Sequence, residues 1–563
     1  MYRSNYALIL DRGKARFGLI SQITPQKYPE CRAAPVCSAA AESRKKKMVS
    51  GIDERYAEQV SALLQPPTTL QVHEYFDNLL SERKILGLEV NQNAKIGKGV
   101  YANMDFEEEQ VVLKDQMLFG NQHSYNKMDC FVCSFCYRFV GSIEIQIGKQ
   151  LYFQSLGISM NNGDLSGNCS HASKASCQSD SSDDEDSVHA GDCDSSDGCA
   201  PSVSEEKKTL PIEVVESLMN GELRLPLSEN FALPSVVPCP GDCQEAYYCS
   251  ESCAKADLES FHALLCVGKS NSVRREALGK FIDHANETND IFLLAAKAIA
   301  FTILRYRRSK AAHCEDTRSS VVSTSTNLSL LLEAWKPISM GYKKRWWDCI
   351  DESEDIAKLE RKELAAASLQ FLREAMFDEE CGACILFRDE HIIFVLLYYL
   401  YELSDNSESL TLLVFTLEIY GHIIGTFELN NLNLIVESPV EDYIRFITDL
   451  PDQKRKEIEE SIRPVLDALG EDYTNLCQGT AFYPLQSCMN HSCCPNAKAF
   501  KREEDRDGLA TIIASRLIHK GEEITISYIN EDLPYEERQE LLADYHFSCK
   551  CSKCVKDQNR IRV

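Results

Sequence analysis

Ser487-Cys488-Met489-Asn490-His491-Ser492-Cys493-Cys494-Pro495-Asn496 is the stretch on which the reading of this chain turns. Strand-like text follows it. Ala497 to Phe500 and Leu509 to Ser515 predict two strands around a polar turn ending in Asp507-Gly508. Glu523 to Ile529 predicts a third, with Ile524, Ile526 and Tyr528 on one side; Glu522 and Glu523, just ahead of it, read as solvated. Further on, Cys549-x-Cys551-x2-Cys554 presents three thiolates. A closed zinc site takes four ligands. Cys493 or its neighbour Cys494 is the nearest candidate for the fourth.

Towards the N-terminus, Ile85 to Val112 is strand-like and includes Ile96-Gly97-Lys98-Gly99-Val100-Tyr101. Residues 54–82, 273–308 and 325–420 carry helical patterns. Residues 1–50 hold ten Lys or Arg against three acids and end near Arg44-Lys45-Lys46-Lys47. They read as a disordered basic arm, with an import or transit signal, or a working start at Met48, as alternatives. Residues 160–208 form a Ser/Asp/Gly/Cys-rich spacer with eight acids from Asp180 to Asp197. Such text buries too little apolar surface to offset chain entropy and predicts disorder, leaving Cys169, Cys177, Cys193 and Cys199 as free thiols. The longest apolar run, Ile392 to Tyr401, is too short for a bilayer and reads as a buried helix, so no membrane partner is expected.

The 563 residues suit about two to four domains. Sixty basic against 86 acidic residues leave a formal net charge of −26. Such a chain repels phosphate backbones, so strong direct DNA binding is not expected, and it suits Lys- and Arg-rich protein tails. An odd count of 25 Cys with no apolar leader argues against a secreted disulfide scaffold and for metal-bound thiolates in a reducing compartment. The densest group is Cys239-x3-Cys243, Cys249-x3-Cys253 and His262-x3-Cys266. Close pairs let one turn offer two ligands to a tetrahedral Zn²⁺, and four pairs would fill two sites. The fourth lies upstream, as Cys130-x2-Cys133 or Cys133-x2-Cys136. Cys381-x2-Cys384 has no second pair nearby and reads as incidental.

Tyr247-Tyr248-Cys249-Ser250-x2-Cys253 followed by His262-x3-Cys266 resembles a MYND zinc finger. The resemblance implies interleaved ligands: Cys133, Cys136, Cys249 and Cys253 on one metal, and Cys239, Cys243, His262 and Cys266 on the other. Cys239 to Cys243 is one residue longer than that family's usual spacing. The segment from Cys136 to Cys239 is far longer than its usual loop. Asn490-His491-Ser492-Cys493-x-Pro495-Asn496, Gly521-Glu522-Glu523-Ile524-Thr525-Ile526-Ser527-Tyr528, Tyr545-His546-Phe547-Ser548-Cys549-Lys550-Cys551 and Gly97-Lys98-Gly99 together resemble a SET-domain lysine methyltransferase. A finger between two SET halves is the SET–MYND arrangement, here similar to the plant trithorax-related type.

This resemblance implies a mixed α+β fold, a SET-domain β-fold split by the finger and a helical insert. The expected layout is a basic extension (1–53), an N-terminal SET half (54–129), the finger with its acidic insertion (130–266), a helical insert (267–424), the C-terminal SET core (425–530) and a zinc-bound post-SET segment (531–563). S-adenosylmethionine would be held by Gly97, Lys98, Gly99, Asn430, Asn490, His491, Tyr528 and Phe547. Asn430 has Leu432 two residues later, where the family usually has Phe. Tyr528 would be the central catalytic tyrosine and Tyr545 the far wall of the lysine channel. A third zinc, on Cys493, Cys549, Cys551 and Cys554, would fix that wall beside the active site, making three Zn²⁺ in all.

Glycines without Cβ atoms would let backbone approach the cofactor. A lysine ammonium has no lone pair, and losing its proton costs about 4 kcal/mol at neutral pH. A desolvated channel beside a sulfonium favours the neutral amine, and enforced in-line approach supplies further acceleration. The expected activity is transfer of methyl to protein lysine, on histone H3 tails or nucleosomes, in transcription regulation. A non-histone substrate and a zinc-dependent adaptor without catalysis are the alternatives. The finger would bind peptide segments of transcription regulators, and the expected location is nuclear, with the cytoplasm as a further one. Animal relatives continue past the last zinc Cys into a helical domain, whereas nine residues follow Cys554, so an open peptide groove is expected.

Overall fold

The computed structural model describes residues 56–93, 97–156, 209–268, 272–317, 323–341, 344–350, 355–376, 413–470, 475–502 and 504–561. The basic arm, the acidic spacer with its four cysteines, Ile96, Cys381 and Cys384, and the run Ile392 to Tyr401 lie outside these residues.

The helical text before residue 83 is two helices, α1 (Ala57–Leu64) and α2 (Thr69–Glu82), because Pro66 and Pro67 cannot continue a helix. Thr68 restarts it with a capping box: the Gln71 N–H donates to Thr68 Oγ1 and the Thr68 N–H to Gln71 Oε1. Then come β1 (Leu88–Asn93), β2 (Gly97–Ala102), β3 (Val111–Asp115) and β4 (Phe119–Gln122). The next stretch holds α3 (Ile143–Ser155), α4 (Ile212–Met219), β5 (Val237–Pro238), β6 (Tyr247–Tyr248) and α5 (Glu251–Asp257). A helical block follows: α6 (Ser272–Glu287), α7 (Ile291–Thr317), α8 (Thr324–Ser339), α9 (Asp355–Met376) and α10 (Leu417–Asn430). The last part is β7 (Asn431–Glu437), α11 (Pro439–Thr448), α12 (Asp452–Leu469), β8 (Leu476–Phe482), β9 (Asn490–His491), β10 (Ala497–Ala499), β11 (Ala510–Ala514), β12 (Glu523–Ile526), α13 (Tyr535–Ala543) and α14 (Ser552–Ile561).

Three small sheets join distant text, in the orders β1-β2-β12-β9, β10-β11-β3 and β4-β8-β7. Strand β12 is antiparallel to β2 (Ile524 opposite Val100) and parallel to β9 (Thr525 opposite Asn490, Ile526 opposite His491). Val90, Val100, Ile512, Ile524 and Ile526 form one core with Val72, Phe76 and Leu80 of α2. A larger core surrounds α7, with Phe292, Trp335, Tyr420 and Phe427 buried together. At about 1.5–3 kcal/mol per fully buried large side chain, these two cores tie the N-terminal strands and the helical block to the C-terminal strands.

One feature was not legible beforehand. Helices α3 and α4, inside the expected finger segment, pack with α11 and α12, inside the expected C-terminal core segment. Ile147, Leu218, Val440, Tyr443 and Val465 make a core of their own there. Helix α10 runs across the 424/425 boundary and leads directly into β7.

Candidate active site

The pairing of β9 with β12 places Asn490 and His491 beside Tyr528. The Ser492 N–H donates to the Ile526 carbonyl (3.0 Å), and the Tyr528 N–H donates to His491 Nδ1 (3.0 Å). With Nδ1 accepting, the ring proton sits on Nε2 and points at Cys493 Sγ, 3.2 Å away. Burial, then the Arg538 charge, hold the imidazole down at about 4, so it is neutral. The Tyr528 hydroxyl donates to the Met489 carbonyl at 2.5 Å. Burial pushes its phenol well above the usual 10, with Tyr545 adding to the rise, so Tyr528 stays protonated. Its ring centroid is 5.1 Å from Tyr545 and 6.5 Å from Phe547, and the His491 ring is 5.8 Å from Phe547. Phe547 is 38% exposed, which leaves its face open to a bound molecule.

The glycine strand meets the same group. Asn490 Nδ2 donates to the Lys98 carbonyl (3.0 Å) and to Glu523 Oε1 (2.7 Å). A Cβ on Gly99 would stand 2.7 Å from Glu523 Oε1 and would push that carboxylate from its place beside Asn490. Gly97 opens β2 at φ +87°, in the left-handed region. The Lys98 ammonium donates to the Met340 carbonyl. Asn430 ends α10, buried, and its amide donates back to the Thr426 carbonyl (2.6 Å). That helix packs through Gly425 on Lys344 and Arg345, and Lys344 Nζ lies 2.8 Å from His546 Nε2. A cleft of about 540 Å³ opens here between Lys344, Cys349, Lys358, Asp544 and His546.

Three groups of sulfur and imidazole ligands complete the picture: Cys133, Cys136, Cys249 and Cys253; Cys239, Cys243, His262 and Cys266; and Cys493, Cys549, Cys551 and Cys554. In each, the ligand atoms lie within 4.8 Å of one another. Ser250 caps α5 by accepting from the Cys253 N–H (3.2 Å), so Cys249 and Cys253 stand one turn apart. The extra residue between Cys239 and Cys243 is absorbed by Asp242 at φ +58°. Cys130 belongs to no cluster; its thiol donates to Asn475 Oδ1 (3.0 Å). Cys494 is exposed, and Cys493 is the one turned into the third group. The Cys136 contact lowers the Cys133 thiol and raises its own. Four sulfur or imidazole donors gathered this closely are the donor sets of structural zinc.

Residues 347–529 match the SET domain family and residues 232–266 the MYND finger family. The chain is 54% identical over 521 residues to histone-lysine N-methyltransferase ATXR2 of Arabidopsis thaliana, covering 90% of this chain and 98% of the relative. The chain belongs to the SET–MYND protein-lysine methyltransferases. Protein-lysine N-trimethyltransferase SMYD5 of Gallus gallus is 26% identical over 56% of this chain and 65% of its own length. N-lysine methyltransferase SMYD2 of Bos taurus matches a shorter stretch, 40% identical over 15% of this chain and 19% of its own length.

As a SET–MYND enzyme this chain uses S-adenosylmethionine. The Lys98 carbonyl and the Glu523 carboxylate both accept from the Asn490 amide, and Phe547 is exposed beside them through His491. Among the described residues, no helix is long and apolar enough to cross a membrane. Sequence reasoning missed several supports of this methyltransferase site. Glu523 is not solvated: it is half-buried and holds Asn490. Glu522 is also half-buried, accepting from Arg516 (2.5 Å), the Asn496 amide (3.1 Å) and the His519 N–H (3.1 Å). Gln539 donates to Cys554 Sγ (3.4 Å) and accepts from the Cys549 N–H (3.1 Å), while buried Arg538 donates to Asp557 (2.7 Å). The Asn490–Glu523 bond joins residues 33 apart in the chain, and no spacing announces it.

Proposed function

We propose that this enzyme methylates lysines of histone H3 tails, with Tyr528 and Tyr545 as its reaction residues. The observation that carries the reading is the convergence of Asn490, His491, Tyr528, Tyr545 and Phe547 on the Gly97–Gly99 strand. Bound S-adenosylmethionine supplies an activated methyl group. Asn490 and Glu523, with the Lys98 carbonyl, would hold its amino-acid end, and Phe547 would pack on the remainder. Asn430 and the backbone of His491 complete that pocket. The His491 ring, engaged at both nitrogens, acts as a fixed spacer. The Tyr528 hydroxyl is held by the Met489 carbonyl, and its oxygen would meet a bound methyl group by weak C–H···O contacts. Tyr528 and Tyr545, packed ring against ring, would wall one side of the lysine's approach, where a desolvated, positioned amine is favoured in its neutral form.

Three Zn²⁺ are structural in this reading, two in the finger on the interleaved sets and one on Cys493, Cys549, Cys551 and Cys554. The layout remains that expected above, with α3, α4, α11 and α12 as an added helical unit. A net charge of −26 suits a basic tail, and the Arabidopsis relative is named for histone lysine. The finger would recruit peptide segments of transcription regulators, and the enzyme would act in the nucleus. The test is incubation of the full chain with labelled S-adenosylmethionine and recombinant nucleosomes, followed by mass mapping. Label on H3 lysine is expected. Label only on non-histone protein in a parallel extract would overturn the histone assignment, and no cofactor heat by titration would favour an adaptor.

A further inference from the structure

We propose that Asp115 is a positioning residue for methyl transfer, holding from beneath the turn that presents the Met489 carbonyl to the Tyr528 hydroxyl. Asp115 ends β3 and is wholly buried. Its Oδ1 takes Arg83 Nη1 at 2.5 Å, and Arg83 also donates to the Gln116 carbonyl (3.0 Å). Its Oδ2 accepts the backbone N–H groups of Leu485 (2.8 Å) and Gln486 (2.9 Å). Those residues open the short 3-10 turn Gln486–Cys488. The Met489 N–H then donates to the Gln486 carbonyl (2.9 Å), and the Met489 carbonyl accepts from Tyr528. One carboxylate therefore ties the end of α2, the end of β3 and the turn leading into Asn490.

The contacts are directional. Charge-assisted bonds to backbone N–H groups are short and fix angles as well as distances. Burial, opposed by the Arg83 charge and the two N–H donors, leaves Asp115 at about 6, so it is ionised at neutral pH. An amide in its place cannot serve both sides: with its oxygen on the two N–H groups its NH2 faces Arg83, and turned over its NH2 faces the N–H groups, so the turn would relax. A shift of about an ångström in the Met489 carbonyl is enough to misplace the Tyr528 oxygen.

The inference rests on Tyr528 being the tyrosine at the reacting methyl, and the experiment separates the two. Asp115→Asn is made in the full-length protein, alone and with Tyr528→Phe. Turnover on recombinant nucleosomes, heat of S-adenosylmethionine binding, zinc content and the ¹³Cζ-tyrosine resonance of Tyr528 are measured. Asp115→Asn alone should lower kcat at least about tenfold with cofactor affinity and zinc retained. In the Tyr528→Phe background it should lower residual turnover less than about twofold, because both changes act on one contact. The Tyr528 resonance should move in Asp115→Asn whether or not a substrate is found. Equal losses in both backgrounds, or an unmoved resonance, would overturn the positioning role. Undiminished turnover in Tyr528→Phe alone would instead overturn the reading of Tyr528. Should Asp115→Asn not fold, Arg83→Met, which removes the partner on the 18% exposed side, should show the same pattern more weakly. A loss of zinc and cofactor binding together with turnover in that variant would make the pair merely structural.

Discussion

The finger and the C-terminal cysteine cluster use the same ligand chemistry to different ends. In the finger, two sets of four ligands hold together short elements that share a small core with Phe131, Val140 and Tyr248. Its other contacts face outward to the SET core: the Gly508 N–H donates to the Cys136 carbonyl (2.8 Å), and Arg138 pairs with Asp507 (3.2 Å). At the C-terminus, Cys493 lies two residues after His491, and Cys549 two after Phe547. A metal there would clamp the segments that carry His491 and Phe547, whereas metals in the finger would tie finger segments to one another. Ligand type is thus a poor guide to consequence, and what decides is which neighbours in the chain the ligands carry with them.

The largest effect should follow from Cys549→Ser. Three ligands do not close a zinc site, and Phe547 and Tyr545 would lose their anchor. Turnover should fall at least about a hundredfold and cofactor affinity with it, because a reacting wall displaced by an ångström already costs that much. Metal analysis should register the loss of one zinc. The paired variant, Cys253→Ser, should also lose one zinc yet keep turnover within about fivefold on isolated substrate, as expected of sites that share no partners. Equal losses of turnover in the two variants would erase the distinction.

Glu523→Ala probes the site from its other side and should act more mildly than Cys549→Ser. It removes a charged acceptor from Asn490, worth about 1.5–3 kcal/mol. The Michaelis constant for S-adenosylmethionine should rise about tenfold or somewhat more, with zinc content unchanged. Glu523→Gln keeps an acceptor oxygen and should recover most of that affinity. A Glu523→Ala enzyme with normal cofactor affinity would show that Asn490 needs no support.

Much of this site could be read from the chain because its chemistry is local or its residue types are rare. Cys249 and Cys253 are spaced for one helical turn, and Asn490-His491 stands beside Cys493 in unbroken text. The choice between Cys130 and Cys136 could not be made that way. It depends on Asn475, more than three hundred residues downstream, taking up the Cys130 thiol. The helical unit of α3, α4, α11 and α12 was illegible for a similar reason. Its two halves are separated by the finger and the helical block, and α3 alternates apolar residues with Glu144, Gln146 and Gln150, which are buried too. Glu522 and Glu523 looked like solvated charge because they precede a strand at a turn. Asn490 becomes a neighbour of Glu523 only after β9 and β12 pair, whereas Arg516 stands six residues from Glu522 in the same connection.

The smallest effect belongs to Arg516, in the bend that leads from β11 towards the outer end of β12. Its guanidinium beside Glu522 holds that carboxyl at about 2, and the depressed value sets the sign. A carboxylate with a lowered folded pKa adds stability above its unfolded value, near 4.5, and loses it as pH falls towards 2. Arg516 is half exposed, so solvent screening should keep the contribution to about 1 kcal/mol or less. Arg516→Ala should therefore lower the unfolding midpoint by about a degree or less at pH 7, with the difference from wild type shrinking below pH 4, and turnover should stay within about twofold. The Asn496 amide also donates to the Glu523 carbonyl, and its Oδ1 accepts the Thr525 N–H, so β12 keeps its clamp without the arginine. A large loss of turnover in Arg516→Ala would mean that the reaction site is held from the strand's outer end, and that the C-terminal cysteine clamp does less than its position implies.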